Sequence, residues 1–332
     1  MASVYGTAPF NKVQLGRETT PGTSVAATTI WRGPFAAPED GIVRVRKEED
    51  IGALLKPSVD YTTRLGATIA FPSTELSFEQ ILHVLEASFK TATPGGEGPY
   101  VYAYSMPVAA ARTIKTYTIE AGNVLVPTDA AEFPHSFVQE FTLSGKVDEA
   151  WMVESTWLSA RWVNATMTSA LSVPSVDPAI FGLTEFYVDD SGGTIGTTQV
   201  TGKLLEVEIK LETGLMFVPA GDGNLYPIAI KYTEPKGTIG LSYELEEDTG
   251  ASFVAAERAA WKDGTGRLMR FAVTGTGDNA MQIDAHVLYD KVGSYENSDG
   301  NVSVKAEGTI RYSSADSLFM EIEVTNGLSA VQ

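Results

Sequence analysis

The feature that most constrains this chain is a two-residue alternation of apolar and polar side chains. It is clearest in residues 205–212, 302–312 and 318–324. Successive side chains of a β-strand point to opposite faces, so each run predicts a strand with one buried and one exposed face. Such alternation favours antiparallel sheets, because the strands of a parallel sheet are usually buried on both faces. The chain is therefore predicted to be mostly β.

Only two segments have a helical pattern, and Ser77 opens the first. The sequence Ser-Phe-Glu-Gln predicts a capping box, in which the Ser77 hydroxyl caps the helix and the Gln80 side chain reaches back. The apolar residues of this segment share one helical face: Phe78, Ile81, Leu82, Leu85 and Phe89. The Pro-Gly-Gly sequence at residues 94–96 predicts that the helix ends before it.

The second predicted helix follows Ser252. It has Phe253, Ala256 and Ala260 on one face, and Gly264 is placed to end it. Each predicted helix follows one strand and precedes others, which gives Ser77 and Ser252 equivalent places in the two series of elements.

Two glycines agree with a possible internal duplication. Gly66 and Gly240 are placed inside the strands before the two helices, and the interval between them nearly equals that between Ser77 and Ser252. The shared strand–helix–strand order suggests two domains, at residues 1–172 and 173–332. Their junction is expected within residues 169–178, a run of small residues with two prolines.

Residues 33–58 fit neither copy and are predicted to form a long loop. The segment is rich in proline and glycine at its start, and six charged residues of both signs follow: Arg44, Arg46, Lys47, Glu48, Glu49 and Asp50. A loop of this length inside a compact domain is usually functional or disordered. Adjacent opposite charges are suited to a contact with a neighbouring subunit. A solvated loop whose charges pair with one another is the alternative.

The net charge of −18 is spread unevenly along the chain. Residues 1–163 contain 18 acidic and 13 basic residues, and residues 164–332 contain 24 and 11. Tight binding to nucleic acid phosphates is not expected, since it depends on neutralisation by lysine and arginine. The acidity can serve solubility, or it can keep a surface close to DNA without binding it.

Composition excludes several classes of site and of protein. The chain has no cysteine, which removes disulfides, thiolate metal ligands and cysteine nucleophiles. No apolar run approaches the roughly 18 residues of a membrane helix, and the first residues do not resemble a secretion signal. At 43% hydrophobic and 20% charged residues, the 332-residue chain falls in the globular range, as one large domain or two.

The residues offer little support for catalysis. The three histidines are far apart in sequence, and His83 is expected at the surface or at its boundary. Asp284 and His286 lie two apart on one strand face, where the carboxylate could orient the imidazole, although a structural pair is the simpler interpretation. The motifs of hydrolases, zinc proteases and phosphate-binding loops are absent from the sequence. An enzyme is not predicted.

Two acidic, glycine-containing clusters offer oxygen ligands of the kind that calcium binds, at residues 189–193 and 296–301. Neither has EF-hand spacing, and turns are the better interpretation. Trp151, Trp157 and Trp162 could stack on a sugar, but packing in a core or interface is preferred. No metal or cofactor is expected.

Three short motifs resemble the major tail tube proteins of long-tailed bacteriophages. Residues 13–23 resemble the family's opening strand followed by an E-T-x-x-G-T turn. Residues 186–198 are similar to its hairpin with I-G-T-T before an alternating strand, and residues 141–147 are similar to its strand followed by a glycine turn. Each motif is short, and the resemblance spans most of the chain.

The resemblance implies antiparallel β-sandwich or barrel domains, each flanked by one short helix, that assemble into stacked rings around a DNA channel. If the duplication is real, three chains give a pseudo-hexameric ring, which is favoured over six chains. An acidic lumen would repel phosphate and let DNA slide. The implied partners are other copies of the chain, the tape measure protein and viral DNA within the lumen, and the tail terminator and tip proteins. The implied location is the virion tail, assembled in the host cytoplasm.

By the same analogy, residues 33–58, the N-terminal arm to Phe10 and the tail after Asn326 are expected to contact the next ring. Deletion of residues 39–53 should leave a folded subunit that no longer polymerises. Two other classes remain open: another virion β-protein, such as a capsid decoration or fibre protein, or a carbohydrate-binding β-sandwich.

Overall fold

The structure is a computed structural model that describes residues 5–36, 38–49, 51–55, 59–245, 247–248, 251–298 and 300–332. It confirms the mostly β, antiparallel architecture. The strands are β1 Asn11–Arg17, β2 Thr29–Ile30, β3 Pro38–Asp40, β4 Val43–Lys47, β5 Val59–Arg64, β6 Ala67–Glu75, β7 Tyr100–Ser105, β8 Tyr117–Asn123, β9 Ala130–Lys146, β10 Met152–Ser159, β11 Val163–Ala165, β12 Thr184–Asp190, β13 Leu204–Glu212, β14 Leu215–Val218, β15 Ala229–Tyr232, β16 Lys236–Glu244, β17 Glu247–Asp248, β18 Ala251–Ser252, β19 Arg267–Thr274, β20 Ala280–Ser298, β21 Asn301–Ile310 and β22 Met320–Asn326. The α-helices are α1 Ile81–Ser88 and α2 Phe253–Asp263.

Sixteen of these strands form one antiparallel sheet. Its main path runs β12-β19-β20-β21-β16-β13-β9-β10-β6-β3, and it does not close into a barrel within the described residues. The pairing of β9 with β13, from Glu206 opposite Lys146 to Glu212 opposite Glu140, joins the earlier strands of the chain to the later ones. A single hydrophobic core spans both groups of strands.

The earlier and the later strands of the sheet repeat one order of pairing. In the earlier half the order is β1-β8-β9-β10-β6-β3, and in the later half it is β12-β19-β20-β21-β16-β13. The long strands β9 and β20 occupy the same place in the two series. Each changes partners half-way along its length, so its first part belongs to one layer and its second part to another.

A β-bulge marks the same point in both long strands. The register of β9 against β10 shifts between Val138 and Glu140, and that of β20 against β21 shifts between Tyr289 and Lys291. The counterpart of β19 in the earlier half is therefore β8, while β7 pairs with β22. Gly66 lies before β6 and not inside it, so its comparison with Gly240 was wrong. The division into two domains stays a prediction.

Both helices form where the sequence predicts them, but their details differ. The Ser77 hydroxyl accepts a hydrogen bond from the Gln80 amide at 3.3 Å, as expected. The Gln80 side chain does not reach back: it accepts from the Arg32 amide and donates to the Ile30 carbonyl. The Ser77 hydrogen bond therefore forms in the turn before α1, whose N-cap position is Gln80 without a side-chain cap bond. The Gln80 side chain instead ties the start of α1 to the region of β2.

The second helix has the predicted caps, but its buried face differs in part from the predicted one. The Ser252 hydroxyl accepts from the Ala255 amide at 3.3 Å. Gly264 ends the helix in the left-handed conformation. The buried residues are Val254, Glu257 and Ala260, whereas Ala256 is exposed. Of the predicted face, Ala260 is buried and Phe253 packs against the core, so only Ala256 was wrong; the prediction missed Glu257 because it assumed that only apolar side chains turn inward.

Candidate assembly surfaces

The segment predicted as a long loop contains an exposed β-hairpin. Strands β4 and β5 pair to form a separate two-stranded sheet, which we call the first hairpin (residues 43–64). Val45 lies opposite Tyr61, and both are exposed. At the end of this hairpin Leu54 and Leu55 are 100% and 89% exposed. Exposed apolar side chains in one protruding element are typical of a surface that contacts another protein.

The predicted assembly residues lie on this hairpin. Arg44, Arg46 and Lys47 are on β4, and Glu48 and Glu49 follow it; Asp50 lies outside the described residues. Their charges pair locally: the Arg46 guanidinium lies 3.7 Å from an oxygen of Asp60, and Lys47 contacts Glu49. These charges pair with one another, as in the alternative of a solvated loop with internal charge pairs. The segment nevertheless forms a hairpin and not an irregular loop.

A second hairpin, formed by β14 and β15 (residues 215–232), lies against the earlier half of the chain. The Phe217 ring packs on Phe137, with centroids 4.7 Å apart, and on His135 at 5.3 Å. The Arg161 guanidinium lies 4.3 Å from the centre of the Tyr226 ring, a cation–π geometry. This second hairpin is therefore docked, in contrast to the first.

The exposed face of the central sheet is rich in carboxylates. Glu206 and Glu208 of β13 point away from the core, and Glu208 lies opposite Gly240, which lies opposite Glu307 of β21. Glu154 of β10 is exposed nearby on the same sheet. Small residues between the carboxylates leave a shallow trough, lined by Glu206, Glu208, Gly240, Ser242 and Glu307 among others.

Two lysines of this face form ion pairs with carboxylates, and Lys146 and Lys236 lie opposite Glu206 and Glu212 in the strand pairing. Lys210 Nζ lies 3.0 Å from an oxygen of Glu140, and Lys305 Nζ lies 3.1 Å from one of Glu296. The hydrogen bond to Glu140 raises the pKa of Lys210. Because nearby carboxylates offset both ammonium groups, the face presents little net positive charge to a phosphate backbone.

Two buried carboxylates hold the helices to the sheets. Glu86 of α1 forms a bidentate ion pair with Arg17, both bonds at 2.9 Å, and accepts from the Tyr117 hydroxyl at 3.2 Å. Burial raises the pKa of Glu86, and the charge of Arg17 opposes that shift. The Glu86 side chain is fully buried, so it serves packing and offers no open reactive group.

Glu257 of α2 repeats this arrangement. It forms a bidentate pair with Arg267, at 2.8 and 3.1 Å, and accepts from the Tyr289 hydroxyl at 2.8 Å. Burial likewise raises the pKa of Glu257, against the effect of Arg267. Sequence reasoning missed both glutamates, because the partners that permit their burial lie on distant strands; a charged residue within each helical apolar pattern was the available signal.

The other candidate residues are structural. His286 Nδ1 lies 2.9 Å from the Arg311 carbonyl, while Asp284 forms a bidentate pair with Arg270 at 2.7 and 2.8 Å, so the carboxylate does not orient the imidazole. His83 is 3% exposed, which makes its predicted surface position wrong. Within the described ranges, no group of three or more potential ligands could hold a metal ion.

The tryptophans and acidic clusters also have structural roles. Trp151 and Trp157 are in the core, and the partly exposed Trp162 packs on Phe133. Asp189 accepts from the amides of Gly196, Thr197 and Thr198, which closes the predicted hairpin after β12. In the cluster at residues 296–301, the described residues lie where β20 ends and β21 begins, and the Asn297 side chain accepts from the Gly300 amide; Asp299 lies outside the described residues.

The two chain ends differ in how they meet the rest of the molecule. At the N-terminal arm, Tyr5 is 78% exposed and Phe10 is exposed too. The tail after Asn326 packs on its own chain: Val331 is buried, its carbonyl accepts from Arg17, and the Leu328 carbonyl accepts from Tyr102. The arm is therefore better placed than the tail for contact with another subunit.

Comparison with known families agrees with this arrangement. Residues 11–326 match the family model described as phage tail tube protein. The chain belongs to the phage tail tube protein family. A search of curated proteins gave no match.

Membership of this family makes the protein a structural component of a phage tail and implies self-association there. A structural family of this kind suggests a role other than catalysis. Within the residues described, neither helix is long and apolar enough to cross a membrane.

Proposed function

We propose that this tail tube protein is the repeating subunit of the tube, with copies that close into rings and rings that stack around a DNA channel. The observation that carries the proposal is the pair of open ends of the central sheet. At one end β3 pairs only with β6. At the other end the second part of β20 has β21 on one edge and no described strand on the other, and side chains of α2 donate to its Asp290 and Gly293 carbonyls. Head-to-tail contact between unlike ends generates a ring when the rotation closes.

A ring of three chains is the favoured arrangement, because the two halves of the chain have one order of strands and one bulge position. We treat the halves as two copies of one fold, so three chains supply six similar units. The β9–β13 pairing inside the chain then has the same role as the contact between chains. Pairing of exposed edges also removes a template for uncontrolled aggregation.

The acidic face of the central sheet is the proposed channel lining. Glu154, Glu206, Glu208 and Glu307 would repel phosphate, and the paired lysines of the face would leave little attraction to offset that repulsion. DNA and the tape measure protein would be transient occupants of this channel, and the terminator and tip proteins would cover its ends. Assembly takes place in the host cytoplasm in this scheme.

The charged face of the first hairpin is the proposed contact with the next ring. Arg44 and Arg46 alternate with Val43 and Val45, so charged and apolar side chains occupy opposite faces of β4. The proposed contact with a second ring is the charged group Arg44, Arg46, Lys47, Glu48, Glu49 and Asp50. Within β4, Arg44 and Arg46 lie on the charged face, whereas Lys47 falls at the end of the face that carries Val43 and Val45. The two valines are free for a different contact.

Electron microscopy of the purified protein tests the tube proposal. Concentrated wild-type protein should form long hollow tubes. A variant in which a short glycine linker replaces residues 43–64 should melt at a similar temperature, since the hairpin is outside the core, and should form no tubes. This deletion spares β3, unlike removal of residues 39–53. Wild-type protein that stays monomeric at high concentration, or tubes of normal length from the deletion variant, would contradict the proposal.

A further inference from the structure

The surface that the second hairpin covers has a counterpart in the later half of the chain. In β9, Phe137 lies opposite Leu158 of β10, one residue before the bulged segment; in β20, Leu288 lies opposite Thr309 of β21 at the same place. His135 and His286 stand two residues earlier in the two strands. Leu288 and His286 thus occupy the positions at which Phe137 and His135 receive Phe217.

The counterpart surface is open at Leu288, whereas the His286 ring is buried. Phe137 is fully buried under the Phe217 ring, whereas Leu288 is half-buried and Tyr312 is 44% exposed. An open cavity of about 820 Å³ lies beside it, lined by Met106, Pro107, Val108, residues 234–238, residues 309–312 and Phe319. At the corresponding place in the earlier half the cavity is about 250 Å³, and Met216, Phe217, Pro219 and Pro227 of the second hairpin or its loop help to line it.

The first hairpin has the shape and position of an occupant. Each hairpin begins after a two-residue link from a strand of the central sheet, β3 for the first and β13 for the second. Val45 is the third residue of the first hairpin, as Phe217 is of the second, and Tyr61 lies opposite Val45. These two side chains form an apolar face that is exposed in the described structure.

The occupant must come from a second copy of the chain. The first hairpin leaves the β3 end of the central sheet, and the open cavity is at the β21 end. With eight strands from β3 to β20 at a spacing of about 4.8 Å, roughly 30 Å separate the two ends. On the basis of the proposed tube function, we infer that the first hairpin of one copy docks in the open cavity of its neighbour in the same ring, with Val45 and Tyr61 against Leu288 and Tyr312.

This docking also accounts for the two open sheet edges. Inside the chain, β13 pairs with β9 and is followed at once by the hairpin that packs on Phe137. A neighbour's first hairpin on Leu288 would bring β3 beside the second part of β20 in the same way. Backbone pairing and apolar burial would then form together across one contact.

Cysteine cross-linking tests the contact directly, because the natural chain contains no cysteine. The double variant Val45→Cys/Leu288→Cys is assembled, oxidised mildly and separated by denaturing, non-reducing electrophoresis. A disulfide requires Cβ atoms about 4 Å apart. We expect most of the single-chain band to shift to bands of two and three chains. Tyr61→Cys with Leu288→Cys is a second pair on the same hairpin face, and Arg46→Cys with Leu288→Cys is the matched control from the opposite face.

The size of the largest cross-linked species shows whether the hairpin contacts a neighbour in the same ring or one in the next ring. A contact within a ring closes on itself, so the bands should stop at three chains; a contact between rings is open-ended, and the bands would continue to larger species and overturn the inference. Tubes that form normally but show no cross-link with Val45→Cys or Tyr61→Cys would refute the docking and leave the tube function standing. A protein that never assembles would refute both.

Discussion

At the scale of single residues, buried polar groups are held in place by partners from distant parts of the chain. Glu18 shows the pattern: its carboxylate accepts from the hydroxyls of Thr116 and Thr118 and from the amides of Gly22 and His135. The sequence motif around Glu18 predicted a turn, but it could not show that a buried carboxylate would fasten it. Because all of these partners except Gly22 lie far away in the sequence, local pattern gives no sign of them.

His83 makes stability depend on pH. Its ring is buried, with Nδ1 3.2 Å from the Tyr117 hydroxyl, and burial lowers its pKa to about 3. The unfolded chain takes up a proton near the ordinary pKa of about 6.5 and the folded chain does not, so the stabilising effect is complete above that pKa and is lost as the pH falls toward 3. Between pH 7 and pH 5, this residue alone should reduce the free energy of unfolding by about 2 kcal/mol.

The measurement compares His83→Gln with the wild type in chemical denaturation at both pH values. The loss of stability between pH 7 and pH 5 should be smaller in the variant by about that amount. Between pH 7 and pH 8 the two proteins should change almost equally, since His83 is then mostly neutral in the unfolded state and fully neutral in the folded state. An unchanged loss between pH 7 and pH 5 would show that this histidine does not control the acid sensitivity.

Gly145 is required for close packing and not for a turn. The motif containing it predicted a glycine turn, but the residue lies within β9, and a Cβ atom there would be 2.2 Å from the ring of Phe181. Gly145→Ala should lower the free energy of unfolding by about 1–3 kcal/mol, because the ring must move. The matched control is Gly182→Ala, where a Cβ atom meets nothing within 4 Å. Thermal and denaturant unfolding of both variants measures the difference. Equal stabilities of the two variants would contradict the packing role of Gly145.

At the scale of elements, the sequence predicts the strands that have one buried face and misses the strands that have none. Strand β13 has the buried and exposed alternation that its sequence indicated. Strand β4 is exposed on both faces, so folding does not require an apolar face, and the sequence of this segment predicts a loop. The prediction for α2 missed Glu257 for a related reason: Arg267 and Tyr289 make it an inward residue.

The N-terminal cap of α2 should be measurable by itself. Ser252 accepts from the Ala255 amide and satisfies one of the free donors of the first turn. Ser252→Ala should reduce stability by about 1 kcal/mol, whereas Ser252→Asp should retain most of it, because aspartate is also a good cap. Denaturant unfolding of the two variants provides the test. Equal losses for alanine and aspartate would mean that the hydroxyl is not acting as the cap.

At the scale of the whole molecule, the sequence suggested a repeat but could not show how the halves meet. The spacing of Ser77 and Ser252 corresponds to two hydroxyls that accept from the amide three residues later. The β9–β13 pairing, by contrast, depends on register between strands that are far apart in the sequence, for which neither strand alone contains a signal. The assembly role of residues 44–50 stays a prediction, and the hairpin that carries most of them, like its docked counterpart, emerged only from the pairing pattern.

The acidic face makes a prediction about the assembled tube. If it lines the channel, Glu206→Lys with Glu208→Lys should convert a repelling surface into one that holds phosphate, and short duplex DNA should sediment with the tubes at low salt. Retention should fall steeply as salt is raised, since each new phosphate contact releases counterions. Wild-type tubes should hold little DNA under the same conditions. Glu97→Lys with Asp222→Lys adds equal charge at exposed positions away from this face. Equal retention by the two double variants would place the channel elsewhere.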